Sequence, residues 1–170
     1  DPAIRDADGK PLLSWRVKIL PFIEQQALYE QFHLDEPWDS EHNLKLLPLM
    51  PDTYVDPSVP PQPGYTVFQL PVGSETLFPK QGERRFGEVL DGLSNTIMVV
   101  ETNRSIAVPW TKPADVEIDI NNPLPQLGNT HQGGFHVLMA DGAVRFLKTD
   151  IVLETLKALF TYRGKEVVRF

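Results

Sequence analysis

Four histidines and 23 carboxylates are the groups in this chain best suited to metal or acid–base chemistry, because cysteine is absent. Without a thiol there is no disulfide framework, no thiolate zinc site and no cysteine nucleophile. His131 and His136 stand five residues apart, Asp141 follows five further on, and Gly133-Gly134 gives slack between the imidazoles. A divalent ion such as zinc would need three such groups converging within about 2.0–2.2 Å of one point. If residues 135–140 form a strand, His136 and Asp141 differ by an odd number of positions and face opposite sides. We therefore expect no metal from this trio and read His131 and Asp141 as hydrogen-bonding to loop backbone. His33 and His42 flank an acidic loop and are expected to be solvated.

That loop, Leu34-Asp35-Glu36-Pro37-Trp38-Asp39-Ser40-Glu41, sets four carboxylates around a tryptophan. An acid/base pair or a calcium loop could be built from it. It lacks the alternating ligands and turn glycine of an EF-hand, so Asp39 is expected to cap a helix and Trp38 to fill a gap between helices. Asp91-Gly92-Leu93-Ser94-Asn95-Thr96 resembles a catalytic loop only loosely, and no Gly-x-Ser-x-Gly elbow, Walker sequence or His-Glu-x-x-His is present. Asp91 and Asn95 are expected to make side-chain turns that feed the next strand. Glu101, at that strand's end, has Arg104 or Arg145 as candidate partners. None of these groups makes an active site, and no enzyme is expected.

The elements that must position these groups are read from apolar spacing. Ser14 precedes Trp15, Val17, Ile19, Leu20, Ile23, Ala27, Leu28 and Phe32, an N-cap followed by helical recurrence, with Pro21 either restarting or kinking the helix. Asp39 or Ser40 caps a second short helix through Leu46, which Pro48 and Pro51 end. The proline-dense stretch 51–63 reads as an extended crossing, 65–70 as a strand, and 96–100 as a buried central strand. Residues 107–129 hold four prolines and Trp110 in a long irregular stretch. Asp141-Gly142 between the β-prone runs 135–140 and 143–147 predicts a two-residue type I′ hairpin. Asp150 then caps an amphipathic helix over 151–162, with Leu153, Leu156, Leu159 and Phe160 on its apolar face and Gly164 as terminator. Residues 165–170 are expected to add a last short strand. The fold class is α+β: N-terminal helices packed on an antiparallel β-sheet, then a C-terminal β-hairpin and helix. A single globular domain over 1–170 is expected.

Composition sets outer bounds. Apolar residues at 41% and charged ones at 23% suit a folded globule. A net charge of −7 argues against general affinity for nucleic acid or anionic membrane. The last 28 residues are net basic while the rest is acidic, which allows pairing within or between molecules. The 16 prolines demand much ordered loop. No run approaches the roughly 18 apolar residues of a spanning helix, and the first residue is Asp1, so an upstream segment is expected.

His131, nine residues, then Asp141-Gly142 is similar to the C-terminal His-x9-Asp-Gly signature of a large planctomycete family, domain of unknown function 1559, also labelled solute-binding. Asp91-Gly92-Leu93-Ser94-Asn95-Thr96 with Glu101 resembles its Asp-Gly-x-Ser-Asn-Thr segment. Ser14-Trp15-Arg16 through Leu20-Pro21-Phe22 and Glu24 resembles its Ser-Trp-Arg…Leu-Pro-(aromatic)-x-Glu segment. Leu34 to Ser40, Ala107 to Pro113 around Trp110, and Ala158 to Thr161 also match. The resemblance implies a pilin- or pseudopilin-like head with long Pro-rich loops. It also implies a prepilin-type leader and hydrophobic anchoring helix upstream, and display in the cell envelope or outside the cell. The partners so implied are other pseudopilin-like subunits or envelope proteins, with membrane contact only through the upstream helix. The solute-binding label implies a small-solute or glycan module, for which Trp38 and Trp110 could form a stacking platform. Calcium is the one cofactor the resemblance offers, as a stabiliser of some pseudopilins. Where the family often has Cys-Pro-Ser, this chain has Asp56-Pro57-Ser58, so no disulfide can form there and packing must hold the loop.

Overall fold

The computed structural model describes residues 2–58, 62–80 and 82–164. In chain order its strands are β1 (Ala3–Arg5), β2 (Pro11–Ser14), β3 (Tyr65–Thr66), β4 (Phe68–Gln69), β5 (Pro71–Val72), β6 (Ile97–Glu101), β7 (Val108–Pro109), β8 (Val116–Glu117), β9 (Gly134–Met139) and β10 (Val144–Lys148). Its α-helices are α1 (Trp15–Lys18), α2 (Gln26–Tyr29) and α3 (Leu153–Phe160), joined by several 3₁₀ turns. The class is mixed α+β, with few short helices and small, mostly antiparallel sheets; the pair β5–β8 is parallel. The chain divides into two compact units, one of Asp1–Thr66 with Ala107–Ala114, the other of Val67–Ile106 with Asp115–Phe170. The strand expected over 165–170 and part of the 51–63 crossing lie outside the described residues.

In the first unit β1 and β2 form an antiparallel hairpin against which α1 packs. Ser14 ends β2 and caps α1, its hydroxyl accepting from the Arg16 amide at 3.2 Å. The expected run of helix to Phe32 is broken twice. Pro21, which lacks an amide hydrogen, opens a fresh 3₁₀ turn, Leu20–Ile23, and Glu24 leaves it in the left-handed region at φ 61°. Asp39 caps nothing described; Ser40 Oγ accepts from the Asn43 amide at 3.0 Å, ahead of a 3₁₀ helix, Asn43–Leu49, that carries Pro48 inside it. Leu12, Leu13, Val17, Leu20, Leu28, Phe32, Leu46, Tyr54 and Trp110 form this unit's core. Asp56 makes a side-chain turn: its Oδ1 accepts from both the amide and the hydroxyl of Ser58.

The second unit is built on a four-stranded antiparallel sheet in the order β10–β9–β6–β4. The expected buried central strand is β6, which sits between β4 and β9. On β9, Phe135, Val137 and Met139 turn into a core shared with Ile97, Val100, Leu147 and, from α3, Leu156, Leu159 and Phe160. The helix is shorter than expected. Val152, not Asp150, precedes it without a side-chain cap, Leu153 is exposed, and the chain leaves it extended at Thr161 rather than at Gly164.

The β9–β10 hairpin lies where the sequence puts it, but its turn is of another type. Gly142 has φ 89°, whereas Asp141 is not in the left-handed region, so the type I′ turn is ruled out. The Met139 amide donates to Ala143 O at 2.8 Å and the Gly142 amide to Met139 O at 3.0 Å, the pattern of a three-residue loop ending in a left-handed glycine. Asp141 Oδ1 accepts from the Ala143 amide at 2.9 Å, locking the loop as a side-chain turn. A Cβ on Gly142 would meet nothing within 4 Å, so a substitution there reads backbone strain alone. Gly142→Val is expected to destabilise the chain by over ~1 kcal/mol; an unchanged melting temperature would remove the turn assignment.

Candidate functional site

The site lies where β6 ends beside β9. The register pairs Val100 with Val137, so the next antiparallel step sets Glu101 across from His136, and β10 sets Phe146 across from His136 in turn. Cross-strand partners share a sheet face, and this is the face opposite Val100 and Val137. His131 arrives from a loop instead. After Leu127 bridges to Thr102, the Gly128 amide donates to Glu101 O at 2.9 Å, and the chain turns through left-handed Gly128 and Asn129. A further bridge from His131 to Gly134, around Gly133 at φ 78°, returns the loop to the start of β9. The imidazoles of His131 and His136 thereby meet edge to face, with centroids 4.6 Å apart, and Phe146 stands beside both.

Glu101 is the buried member of this cluster, at 1% side-chain exposure, while His131 and His136 keep 29% and 42%. Its Oε2 accepts from the His136 amide at 2.8 Å and lies 3.2 Å from His136 Nδ1. Its Oε1 is buried, has no hydrogen-bond partner among the described residues and lies 3.4 Å from His131 Nε2. One ligand atom from each of the three residues falls within 4.8 Å of the others. The carboxylate's described ion-pair partners are thus imidazoles, not the arginines that spacing offered. His131 brings its Nε2 to the Glu101 carboxylate, and Asp141, in the β9–β10 turn, accepts from the loop backbone.

The other singled-out residues serve the frame. Asn95 Nδ2 donates to Asp91 O at 3.0 Å and Thr96 Oγ1 to Gly92 O at 3.1 Å, with Gly92 at φ 88°, so this segment is the expected turn into β6. Asp91 reaches further than expected: its Oδ2 accepts from the Gly164 amide at 2.7 Å and from Thr161 Oγ1 at 3.2 Å, tying the turn to the chain after α3. Trp110 is wholly buried in the first unit, its Nε1 donating to Leu47 O at 2.9 Å, so it cannot join Trp38 in a stacking platform. In the acidic loop, His33 and His42 stack at 3.5 Å, and His42 Nε2 lies 2.7 Å from Gln31 O. A hydrogen bond from Ser40, then one from His33, holds the Glu36 carboxyl below its ordinary value.

Among the described residues no helix is long and apolar enough to cross a membrane. No curated protein and no solved structure matches the chain. The family model described as Protein of unknown function (DUF1559) matches residues 2–72, 62–122 and 105–154, which together span most of the sequence. The motif pairs its histidine with the glutamate that ends β6, and the Ser-Trp-Arg, Trp110 and Asp-Gly segments each lock a separate part of the frame. On that match the chain belongs to the DUF1559 family of proteins of unknown function.

Proposed function

We propose that this chain is the exported, non-enzymatic head of a pseudopilin-like envelope protein, and that it works through contacts with other envelope proteins. The observation that carries this reading is Phe22. In the Ser-Trp-Arg…Leu-Pro-aromatic segment, Arg16, Val17 and Leu20 are buried, and Ser14 caps the helix they open. Phe22 alone among its apolar neighbours stands 84% exposed. Its presentation is rigid: the Phe22 amide donates to Ile19 O at 2.9 Å and the Gln25 amide to Leu20 O at 3.0 Å. Leaving a phenyl ring in water forgoes about 1.5–3 kcal/mol of burial. Aromatic side chains held out on a fixed backbone are what protein interfaces use as anchors. The motif segments that resemble the family's supply caps, turns and core, which is the behaviour of a frame displaying a surface.

These 170 residues contain no cysteine, so a thiol introduced among them can be followed against the unaltered parent. In the full-length protein expressed in its host, Phe22→Cys is expected to react with a membrane-impermeant maleimide in intact cells. It is also expected to cross-link through a short bifunctional reagent to a discrete envelope protein or a second copy. Phe22→Ser should leave the melting temperature nearly unchanged, within about 0.5 kcal/mol, because the ring covers no core. Labelling that appears only after lysis would reject export, and labelling without any discrete adduct would reject the contact role.

A further inference from the structure

We propose that Glu101, His131 and His136 form a binding site for one first-row divalent transition-metal ion, with zinc the best match. Three observations converge on it. The donors are two imidazoles and one carboxylate, a set that suits zinc and its neighbours; calcium and magnesium prefer oxygen throughout. The spacing fits, since ligand atoms about 2.1 Å from a tetrahedral ion lie roughly 3.4 Å from each other. Here His131 Nε2 lies 3.4 Å from Glu101 Oε1 and His136 Nδ1 3.2 Å from Glu101 Oε2, so the carboxylate meets each imidazole with a different oxygen, and one donor atom from each of the three residues falls within 4.8 Å of the others.

The third observation points to a ligand by itself. Glu101 Oε1 is a carboxylate oxygen taken out of water, with no hydrogen-bond donor supplied by the described residues. Burying such an atom is costly unless something positive meets it. The rest of the carboxylate is already aimed: the His136 amide holds Oε2 beside the His136 ring and leaves Oε1 facing His131, as outer hydrogen bonds orient metal ligands elsewhere. Both imidazoles reach solvent, so an ion has a way in, and Phe146 walls one side. The ion would join three separate pieces of the second unit: the end of β6, the start of β9 and the 127–131 loop. Water would complete its coordination.

The test is titration of the chelator-stripped chain with zinc chloride, read by calorimetry and by melting temperature. One equivalent should bind saturably and raise the melting temperature, EDTA should reverse the rise, and cobalt(II) should develop the visible absorption of a low-symmetry nitrogen–oxygen site. Calcium chloride should do neither. His131→Asn and His136→Asn should each weaken zinc at least ~100-fold, beyond the loss expected for an outer partner, while His33→Asn, in the stacked pair of the first unit, should not. Zinc should also protect His131 and His136 of the unaltered chain from diethyl pyrocarbonate, read by mass spectrometry, a result independent of whether any variant folds. No saturable binding, binding that survives either substitution at 131 or 136, equal binding of calcium, or absent protection would overturn the site.

Discussion

Trp110→Ala is expected to cost about 3–5 kcal/mol, a large share of the roughly 5–15 kcal/mol that holds a typical domain. Trp110 lies between two aromatic partners, edge-on to Phe32 with centroids 5.7 Å apart and near-parallel to Tyr54 at 5.8 Å. Removing it opens the largest cavity a single truncation can make, and it strips the donor from Leu47 O. Tyr54 is itself anchored, its hydroxyl donating to Arg16 O at 2.8 Å, and burial pushes the phenol's pKa up, so it stays protonated and keeps that bond. The partners are therefore held in place and cannot collapse into the void, which favours the upper part of that range. Trp110→Phe keeps an aromatic ring and loses the indole N–H, and is expected to cost less, about 1–3 kcal/mol. Urea denaturation followed by far-UV circular dichroism checks both; a loss under about 1.5 kcal/mol for the alanine variant would show that this core relaxes.

How much of this could be read in the sequence depended on how local each signal was. The β9–β10 hairpin was legible because Asp141-Gly142 interrupts two β-prone runs, although composition could not tell a two-residue loop from a three-residue one when both want glycine. Apolar recurrence from Ser14 to Phe32 was misleading, because Phe22 and Ala27 point to solvent and the break at Glu24 is made by a non-glycine in the left-handed region. The cluster at Glu101 was missed for a different reason. Strand parity compares His136 only with residues of its own strand, and Asp141 lies beyond that strand, in the turn after Met139. The third donor comes from β6, 35 positions upstream, and only the register of β6 against β9 brings it in. The signal that existed was Glu101 itself, an acid ending an apolar strand that then needs a polar partner across the sheet. Asn43 carried no signal at all, since one asparagine in a helix-like stretch looks like any other.

Asn43→Asp changes one atom of that residue and is expected to cost about 3 kcal/mol or more at neutral pH. Asn43 is wholly buried and ties a loop to itself: its Oδ1 accepts from the His33 amide at 3.0 Å, and its Nδ2 donates to the carbonyls of His33, Glu36 and Pro37 at 2.9, 3.2 and 3.1 Å. An aspartate keeps the acceptor but turns a charged oxygen toward three carbonyls; His33 O and Pro37 O keep the Glu36 and Ser40 amides, Glu36 O loses its described donor, and an unpaired charge is buried. The orphaned Glu36 carbonyl costs about 1–3 kcal/mol, and the buried charge facing three carbonyls adds to that. The sign of the pH dependence follows. The introduced carboxyl is driven to a higher pKa in the folded chain than in the unfolded one, so the penalty is full above the folded value and fades as pH falls toward the unfolded value. Once protonated, the carboxyl again has a hydrogen to donate and nearly the shape of the amide. Stability measured against urea at neutral and mildly acidic pH should show the variant closing on its parent as pH falls. A gap below about 1 kcal/mol at neutral pH, or one that widens in acid, would mean that the loop from His33 to Asn43 is held by something other than this amide.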